Sequence, residues 1–168
     1  MIQCIILGIL LYVILYCQYI LVRLYHEAWY DIDKAQKFCN QFDQSVEIGT
    51  KDCLIDADII CTATTSKTPL FEFGDLNPGV HINAVGAHQS ASRELPSELI
   101  QNGKVFIDQL SPSKHEAGDI LIPIEEGKYT WDKIEGRKTE SEITIFNSIG
   151  NAMQDLVIGS IIIEKTLN

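Results

Sequence analysis

Short apolar runs alternate with polar stretches along most of this chain. The predicted strands are AWYDID, SVEI, ADIICTAT, GVHINAVG and KVFID, and the predicted helices between them are DKAQKFCNQF, TKDCLID and ELPSELIQNG. ADIICTAT is rich in β-branched residues, so we expect it to be buried on both faces. Alternating strands and helices are typical of βαβ units. The sequence therefore predicts an α/β fold with a mostly parallel sheet and flanking helices.

The sequence also indicates where some of these elements begin and end. Asp33 is a candidate N-cap for the first helix, because a carboxylate there can accept a hydrogen bond from a free backbone amide. Pro96 suits the first turn of a later helix, and Gly103 suits its end.

The C-terminal stretch, residues 148–168, predicts a long amphipathic helix. One face collects residues at spacings of three and four: Ile149, Met153, Leu156, Ser160, Ile163 and Leu167. The segment 125–142 is charged and contains glycines, so we expect it to be a solvated surface excursion.

The first 28 residues have a different character. Residues 5–22 carry no charge, and about 18 such residues is the usual length of a membrane-spanning helix. Gln18 within the run and its tyrosine and β-branched content suit a degraded first strand and helix of the domain equally well. Both interpretations stay open. The chain then divides into a hydrophobic segment 1–28, an α/β domain 29–145 and a C-terminal helix 146–168.

Composition excludes several classes of function. The net charge is −10 with a pI near 4.7, so the chain offers no basic surface for nucleic acid. The cysteines number five, which is odd, and none forms a CxxC pair. This argues against a disulfide framework or a zinc site and favours a reducing, cytoplasmic setting, with membrane association through residues 5–22 as the alternative. We also find no metal-spaced cluster, nucleophile elbow or P-loop.

One acidic residue suits the binding of a dinucleotide. Such domains place a carboxylate after the second strand, where it accepts hydrogen bonds from the adenosine ribose, and Asp31 lies at that place. A carboxylate there would repel the extra phosphate of NADP, so Asp31 favours NAD. From its position alone, Asp31 is equally well explained as a helix cap. The glycine-rich turn that should precede it is not recognisable, because bulky residues follow Gly8.

Residues after two predicted strands offer further candidate chemistry. Ligands dock at the carboxyl ends of parallel strands, where this chain has residues 62–66 and 84–88. His88 could exchange protons there, although a solvated loop histidine is the simpler interpretation. Arg93 beside Glu94 could bind an anion or form an ordinary surface ion pair. Ser148 could cap the last helix or donate a hydrogen bond to a ligand.

Four linked blocks carry a resemblance to a known family. The blocks ADIICTATTSKTPLF, PGVHINAVGAHQSASRELP, EAGDILIPI and EITIFNSIGNAMQDLVIGS resemble, in order and spacing, the ornithine cyclodeaminase and mu-crystallin family. The resemblance implies a Rossmann-type domain that binds NAD or NADP and acts on a small amino or imino acid. By position it implies cofactor contacts for Asp31, Thr64, Val85, Gly86, Ala87, His88 and Ser148. It further implies a substrate contact for Ile149 and a catalytic role for His88.

Two departures from the family pattern shape the expected activity. His88 replaces the catalytic aspartate of ornithine cyclodeaminases, and Ser92 replaces a lysine that helps to hold the cofactor. These changes point toward an amino- or imino-acid oxidoreductase, in which a hydride moves between the nicotinamide and a substrate carbon. The family's N-terminal substrate domain has no counterpart here, so the sequence also suggests a truncated product. An inactive remnant, a homo-oligomer or a partner of a separate N-terminal half remain alternatives.

Overall fold

The computed structural model describes residues 22–25, 32–41, 46–132 and 136–167. Asp31, the turn predicted at Gly8 and residues 5–21 of the apolar run lie outside this part of the chain. Most of the AWYDID strand prediction also lies outside it. Its last two residues, Ile32 and Asp33, begin a helix instead.

The described residues form a mostly parallel sheet, as the sequence predicts. The strands are β1 (Val22–Tyr25), β2 (Val46–Gly49), β3 (Ile59–Thr62), β4 (His81–Ala84), β5 (Lys104–Ile107) and β6 (Thr144–Asn147). β1 pairs with β2, and a four-stranded sheet has the order β3-β4-β6-β5. Every one of these pairings is parallel, and the connecting helices pack on the sheet. The predicted α/β class is confirmed.

Helices follow most of the strands. They are α1 (Ile32–Cys39), α2 (Ser97–Asn102), α3 (Leu110–Glu116), α4 (Gly118–Glu125) and α5 (Ala152–Leu167), with short 3-10 helices at Lys51–Leu54 and Phe73–Asp75. Asp33 lies in the first turn of α1 and not before it, so the predicted N-cap is wrong by position. Pro96 precedes the first residue of α2, and Gly103 follows its last residue as predicted.

The core lies between the four-stranded sheet and the helices on one of its faces. The strand registers align Ile60, Ile82 and Ile145 in one row across the sheet, and all three are buried. Leu99 of α2 and Ile120 of α4 belong to the same buried cluster. Burying an aliphatic side chain of this size contributes about 1.5–3 kcal/mol, so each of the three stabilises the domain by an amount of that order. Because the strands are held in this register, the carboxyl ends of β3, β4 and β6 lie side by side.

β3 differs from its prediction as a fully buried strand. Ile60 and Thr62 are buried, whereas Ile59 is 58% exposed and Cys61 is exposed as well. The reason is that Ile59 and Cys61 point to the opposite face of the sheet from Ile60 and Thr62, and no described residues cover that face at β3. Its β-branched run therefore contributes one buried face and not two.

The segment 125–142 is only partly the solvated excursion that the sequence predicts. Most of its described residues are exposed, including Glu126 and Lys128. Tyr129, however, is buried within the core cluster, and Trp131 packs against that cluster. These two aromatic side chains anchor an otherwise polar segment to the domain.

Helix α5 carries apolar side chains that the described core does not cover. The exposed ones are Leu156, Val157, Ile161, Ile162 and Ile163. Leu156 and Ile163 belong to the predicted apolar face, and both are exposed in this structure. None of the helices in the described ranges combines the length and the apolar character needed to cross a bilayer.

Candidate functional site

Three predicted site segments meet at one edge of the sheet. The registers place Thr62, Ala84 and Asn147 side by side at the carboxyl ends of β3, β4 and β6. Backbone hydrogen bonds extend this alignment, because Val85 N donates to Thr62 O at 3.0 Å and Ser148 N donates to Ala84 O at 2.9 Å. Thr64, the loop 85–88, Ser148 and Ile149 therefore lie along a single edge.

Thr64 lies in a tight turn directly after β3. Its hydroxyl oxygen accepts a hydrogen bond from Ser66 N at 3.1 Å, and the hydroxyl of Ser66 donates to Thr68 O at 2.7 Å. These local bonds use part of the hydrogen-bonding capacity of the threonine cluster to hold the turn. The half-buried side chain of Thr64 stays at the sheet edge.

The loop after β4 has an inner and an outer side. Gly86 and Ala87 are buried, whereas Val85 and His88 are half-buried. A Cβ atom at Gly86 would overlap the Glu94 carboxylate and the Thr64 carbonyl oxygen. Glycine is therefore needed here for packing within the protein. The outer residues, Val85 and His88, remain partly accessible at the edge of the sheet.

His88 is held in one orientation by its own loop. Its backbone amide donates to Gly86 O at 3.0 Å, and its Nδ1 atom lies 2.8 Å from the same oxygen. A carbonyl oxygen can only accept, so Nδ1 carries the proton that it donates. This assigns the Nε2 lone pair of a neutral His88 to the outside of the loop, where it can exchange a proton.

Ser148 joins the ends of β5 and β6. Its hydroxyl donates to Asp108 Oδ2 at 2.8 Å and accepts from Gly150 N at 3.3 Å. Helix α5 begins at Ala152, so Ser148 does not cap it, contrary to one of the two interpretations of its sequence position. Ile149 is half-buried and packs against the core cluster. Asp108 was not among the residues that the sequence patterns indicated.

Arg93 and Glu94 do not pair with each other. Arg93 donates to Glu126 Oε1 and to Ser97 Oγ, both at 3.1 Å, so one of its interpretations, an ion pair, holds with a different partner. Glu94 is fully buried, and its two carboxylate oxygens accept from Thr64 N at 2.5 Å and from Gly86 N at 3.0 Å. It thus links the loops after β3 and β4.

A second buried carboxylate supports the first. Asp119, in the first turn of α4, accepts at Oδ1 from Glu94 N at 2.7 Å and from Leu95 N at 2.9 Å. Its Oδ2 accepts from Asn147 Nδ2 at 3.3 Å. Burial raises the pKa of Asp119 to about 7, which outweighs the lowering by the two backbone amides. Sequence patterns missed both carboxylates, because their partners lie 8 to 30 residues away.

The polar groups of this edge are suited to organic ligands more than to metal ions. The described histidine, cysteine, aspartate and glutamate side chains form no group of three that could hold a metal. Glu94 and Asp119 are both turned inward onto N–H donors. The outer surface of the edge therefore presents the Thr64 turn, the aliphatic Val85 and the imidazole of His88.

Known proteins are similar to this chain in both sequence and fold. A Delta(1)-pyrroline-2-carboxylate reductase of Colwellia psychrerythraea is 37% identical over 136 residues, covering 74% of this chain and 42% of that protein. The structure of Thermococcus litoralis Delta(1)-pyrroline-2-carboxylate reductase, in complex with NADH and L-proline, matches 82% of this chain and 48% of its own with a TM-score of 0.71 and 29% identity. An archaeal alanine dehydrogenase dimer with bound NAD matches 80% of this chain and 46% of its own, with a TM-score of 0.68 and 27% identity.

These similarities agree with a match to a family model. The chain spans less than half the length of each of these relatives. The model for the ornithine cyclodeaminase/mu-crystallin family matches residues 10–168, which include all three segments of the candidate site. By this match over most of its length, the chain belongs to the ornithine cyclodeaminase/mu-crystallin family.

Proposed function

We propose that this chain forms the nicotinamide-binding part of an NAD-dependent oxidoreductase that acts on a small amino or imino acid. One observation carries the proposal: the Thr64 turn, the loop 85–88 and the segment 148–149 follow adjacent parallel strands and meet at one edge. Open α/β sheets bind nucleotides beyond the carboxyl ends of their strands. Relatives of similar fold were solved with NADH or NAD bound.

The edge fits the nicotinamide end of such a cofactor. Thr64 offers a hydroxyl, and Val85 offers an aliphatic surface for a flat ring. The buried charges nearby do not face a ligand, because Glu94 and Asp119 are occupied by N–H donors. Asp108 is likewise engaged by Ser148. When bound, a reduced nicotinamide would supply a hydride, which is one proton with two electrons, to a substrate carbon.

His88 is the residue that we propose to handle the proton. Reducing a C=N bond to an amine also adds a proton to nitrogen, so a donor is needed within hydrogen-bond reach of that nitrogen. With Nδ1 donating to Gly86 O, the outer Nε2 of His88 is the atom that can take up this proton and pass it on. In the oxidative direction the same atom accepts it.

The substrate that we propose is a cyclic 2-imino carboxylate, with the corresponding amino acid as product. Support comes from the named activity of the Colwellia relative and from the NADH and L-proline bound in the Thermococcus structure. The aspartate that the family resemblance assigns to cyclodeaminases is replaced by His88. An imidazole can serve as both donor and acceptor of the proton near neutral pH, which suits a reversible reduction.

A titration of the purified chain with NADH and NADPH tests cofactor binding. We expect NADH to bind with a dissociation constant of about 1 mM or lower, which is weak on the general scale of ligand affinities. In heteronuclear NMR spectra, the amide signals of Thr64, Val85 and His88 should shift. Those of Gly79 and Thr144, at the opposite end of the strands, should not. The proposal would be contradicted if NADH shifted the signals of other residues and not these three, or if no binding were seen at millimolar NADH.

Replacing His88 with glutamine should separate chemistry from binding. We expect kcat for NADH-dependent reduction of Delta(1)-pyrroline-2-carboxylate to fall about 100-fold, because general acid–base catalysis contributes about 10²–10⁴-fold. The dissociation constant for NADH should change by less than about twofold. His115→Gln, at an exposed position in α3, is the matched control. Equal activity of the two variants would remove His88 from the mechanism.

A further inference from the structure

The carboxylate of Glu94 is buried away from solvent. Its side chain is fully buried, yet both oxygens are hydrogen-bonded, to Thr64 N at 2.5 Å and to Gly86 N at 3.0 Å. The two amides belong to different loops, one after β3 and one after β4. A single side chain therefore spans the two segments that face the proposed nicotinamide.

The arrangement requires a carboxylate and not merely a polar side chain of the same size. Each oxygen receives a backbone N–H, and a buried N–H without an acceptor is costly. An amide in place of the carboxylate would direct its NH₂ group at one of these N–H donors. No space is left for an adjustment beside Gly86, where even a Cβ atom would overlap the carboxylate.

Residues at the start of helix α4 hold the backbone of Glu94 in place. Asp119 Oδ1 accepts from the amides of Glu94 and Leu95, at 2.7 and 2.9 Å. Gly118 lies so close to the carbonyl oxygens of Gln89 and Ser92 that a Cβ atom would overlap both. The carboxylate is thus presented from a rigid support, so its position can determine the positions of the loops that it holds.

We infer that Glu94 is a positioning residue of the cofactor site, which sets the Thr64 turn and the His88 loop at their relative distance. It touches neither ligand nor reacting atoms and acts through the amides of Thr64 and Gly86. The carbonyl of Gly86 in turn accepts from Nδ1 of His88, so the imidazole depends on the same loop. The inference deepens the proposed function and rests on it for the ligand.

The test compares Glu94→Gln with Glu98→Gln, an exposed glutamate of α2 that undergoes the same chemical change. Hydrogen exchange is followed at individual amides by NMR. We expect exchange at Thr64 or Gly86 to become at least about tenfold faster in Glu94→Gln, because one amide loses its acceptor. Amides of Ile82 and Ile145, in the core strands, should keep their rates, which a merely global loss of stability would not allow. Glu98→Gln should change none of them.

NADH titration of the same variants provides the second readout. Glu94→Gln should bind NADH about tenfold more weakly than the unaltered chain, and Glu98→Gln should bind it equally. Unchanged exchange at both Thr64 and Gly86 would overturn the inference, whatever the affinity. Faster exchange with an unchanged NADH affinity would also overturn it. The two hydrogen bonds from the loop amides to Glu94, which we call the Glu94 clamp, would then have only a structural role.

The unaltered chain keeps both hypotheses separately testable. If Glu94→Gln does not fold, exchange in the unaltered chain must still show the amides of Thr64 and Gly86 protected at least about 100-fold relative to those of the exposed Gln89 and Ser90. If this protection is absent, the hypothesis of a Glu94 clamp is wrong. If the protection is present but NADH does not bind, the proposed function fails while the clamp itself stands.

Discussion

Replacing Gly118 with alanine is expected to destabilise the chain by about 3 kcal/mol or more. The added Cβ would overlap the carbonyl oxygens of Gln89 and Ser92, and backbone atoms cannot turn aside as a flexible side chain can. Helix α4 would have to move away from the turn that it packs against. Asp119, the next residue, would then lose its bonds to the amides of Glu94 and Leu95. Urea unfolding at neutral pH measures the loss.

The matched control is Gly159→Ala, in the middle of α5. A Cβ there meets no atom within 4 Å, and alanine is the better helix former. We expect this variant to be more stable than the unaltered chain by up to about 1 kcal/mol. If Gly118→Ala lost less than about 1 kcal/mol, the close packing of α4 on the 89–92 turn would be refuted.

The sequence predicts the fold well where a short apolar run by itself indicates a strand. The strands in SVEI, ADIICTAT, GVHINAVG and KVFID were all placed from short apolar runs, and each lies where expected. Helices α3 and α4 were not predicted. Pro123 lies inside α4, and an interior proline ordinarily argues against a helix because it removes a backbone donor. Packing against the core, through Ile120, outweighs this local preference.

The candidate site was predictable only in part. The strand-end rule located Thr64 and His88, because it depends on chain order alone, whereas Ser148 was indicated by the family resemblance. Glu94 was a different case: beside Arg93 it had the sequence pattern of a surface ion pair. Its actual partners are amides 8 and 30 residues away, and its backbone is held from 25 residues away. Such long-range contacts leave no periodic signal in the sequence.

Asp119 gives the second large prediction, because its protonation differs between the folded and unfolded chain. Its pKa is about 7 in the folded state against 3.8 in the unfolded chain. Burial is the largest cause of this rise; the charge of Glu94 also raises the pKa, whereas the two backbone amides and Arg93 lower it. Between these two values the folded chain holds a proton that the unfolded chain has released. The stabilising contribution is therefore complete below about pH 4 and is lost as the pH rises to about 7.

The variant Asp119→Asn should lack this pH dependence. Its Oδ1 can still accept from the amides of Glu94 and Leu95, as Asp119 Oδ1 does. Its NH₂ group takes the place of Oδ2, which accepts from Asn147 Nδ2 in the unaltered chain, and it can donate to Asn147 Oδ1 once the amide of Asn147 turns over. That oxygen is buried and has no partner among the described residues. Asparagine is thus well accommodated here, whereas the amide in Glu94→Gln would face an N–H donor.

We expect the free energy of unfolding of Asp119→Asn, relative to the unaltered chain, to rise by about 4 kcal/mol between pH 4 and pH 8. The figure follows from a pKa difference of roughly three units at about 1.4 kcal/mol each. Urea unfolding at both pH values measures it. Glu94 and Arg93 are present in both proteins, so the comparison isolates the side chain of residue 119. A difference that is the same at both pH values would show that the pKa of Asp119 does not change on folding, its burial being fully compensated by the amides that it accepts from.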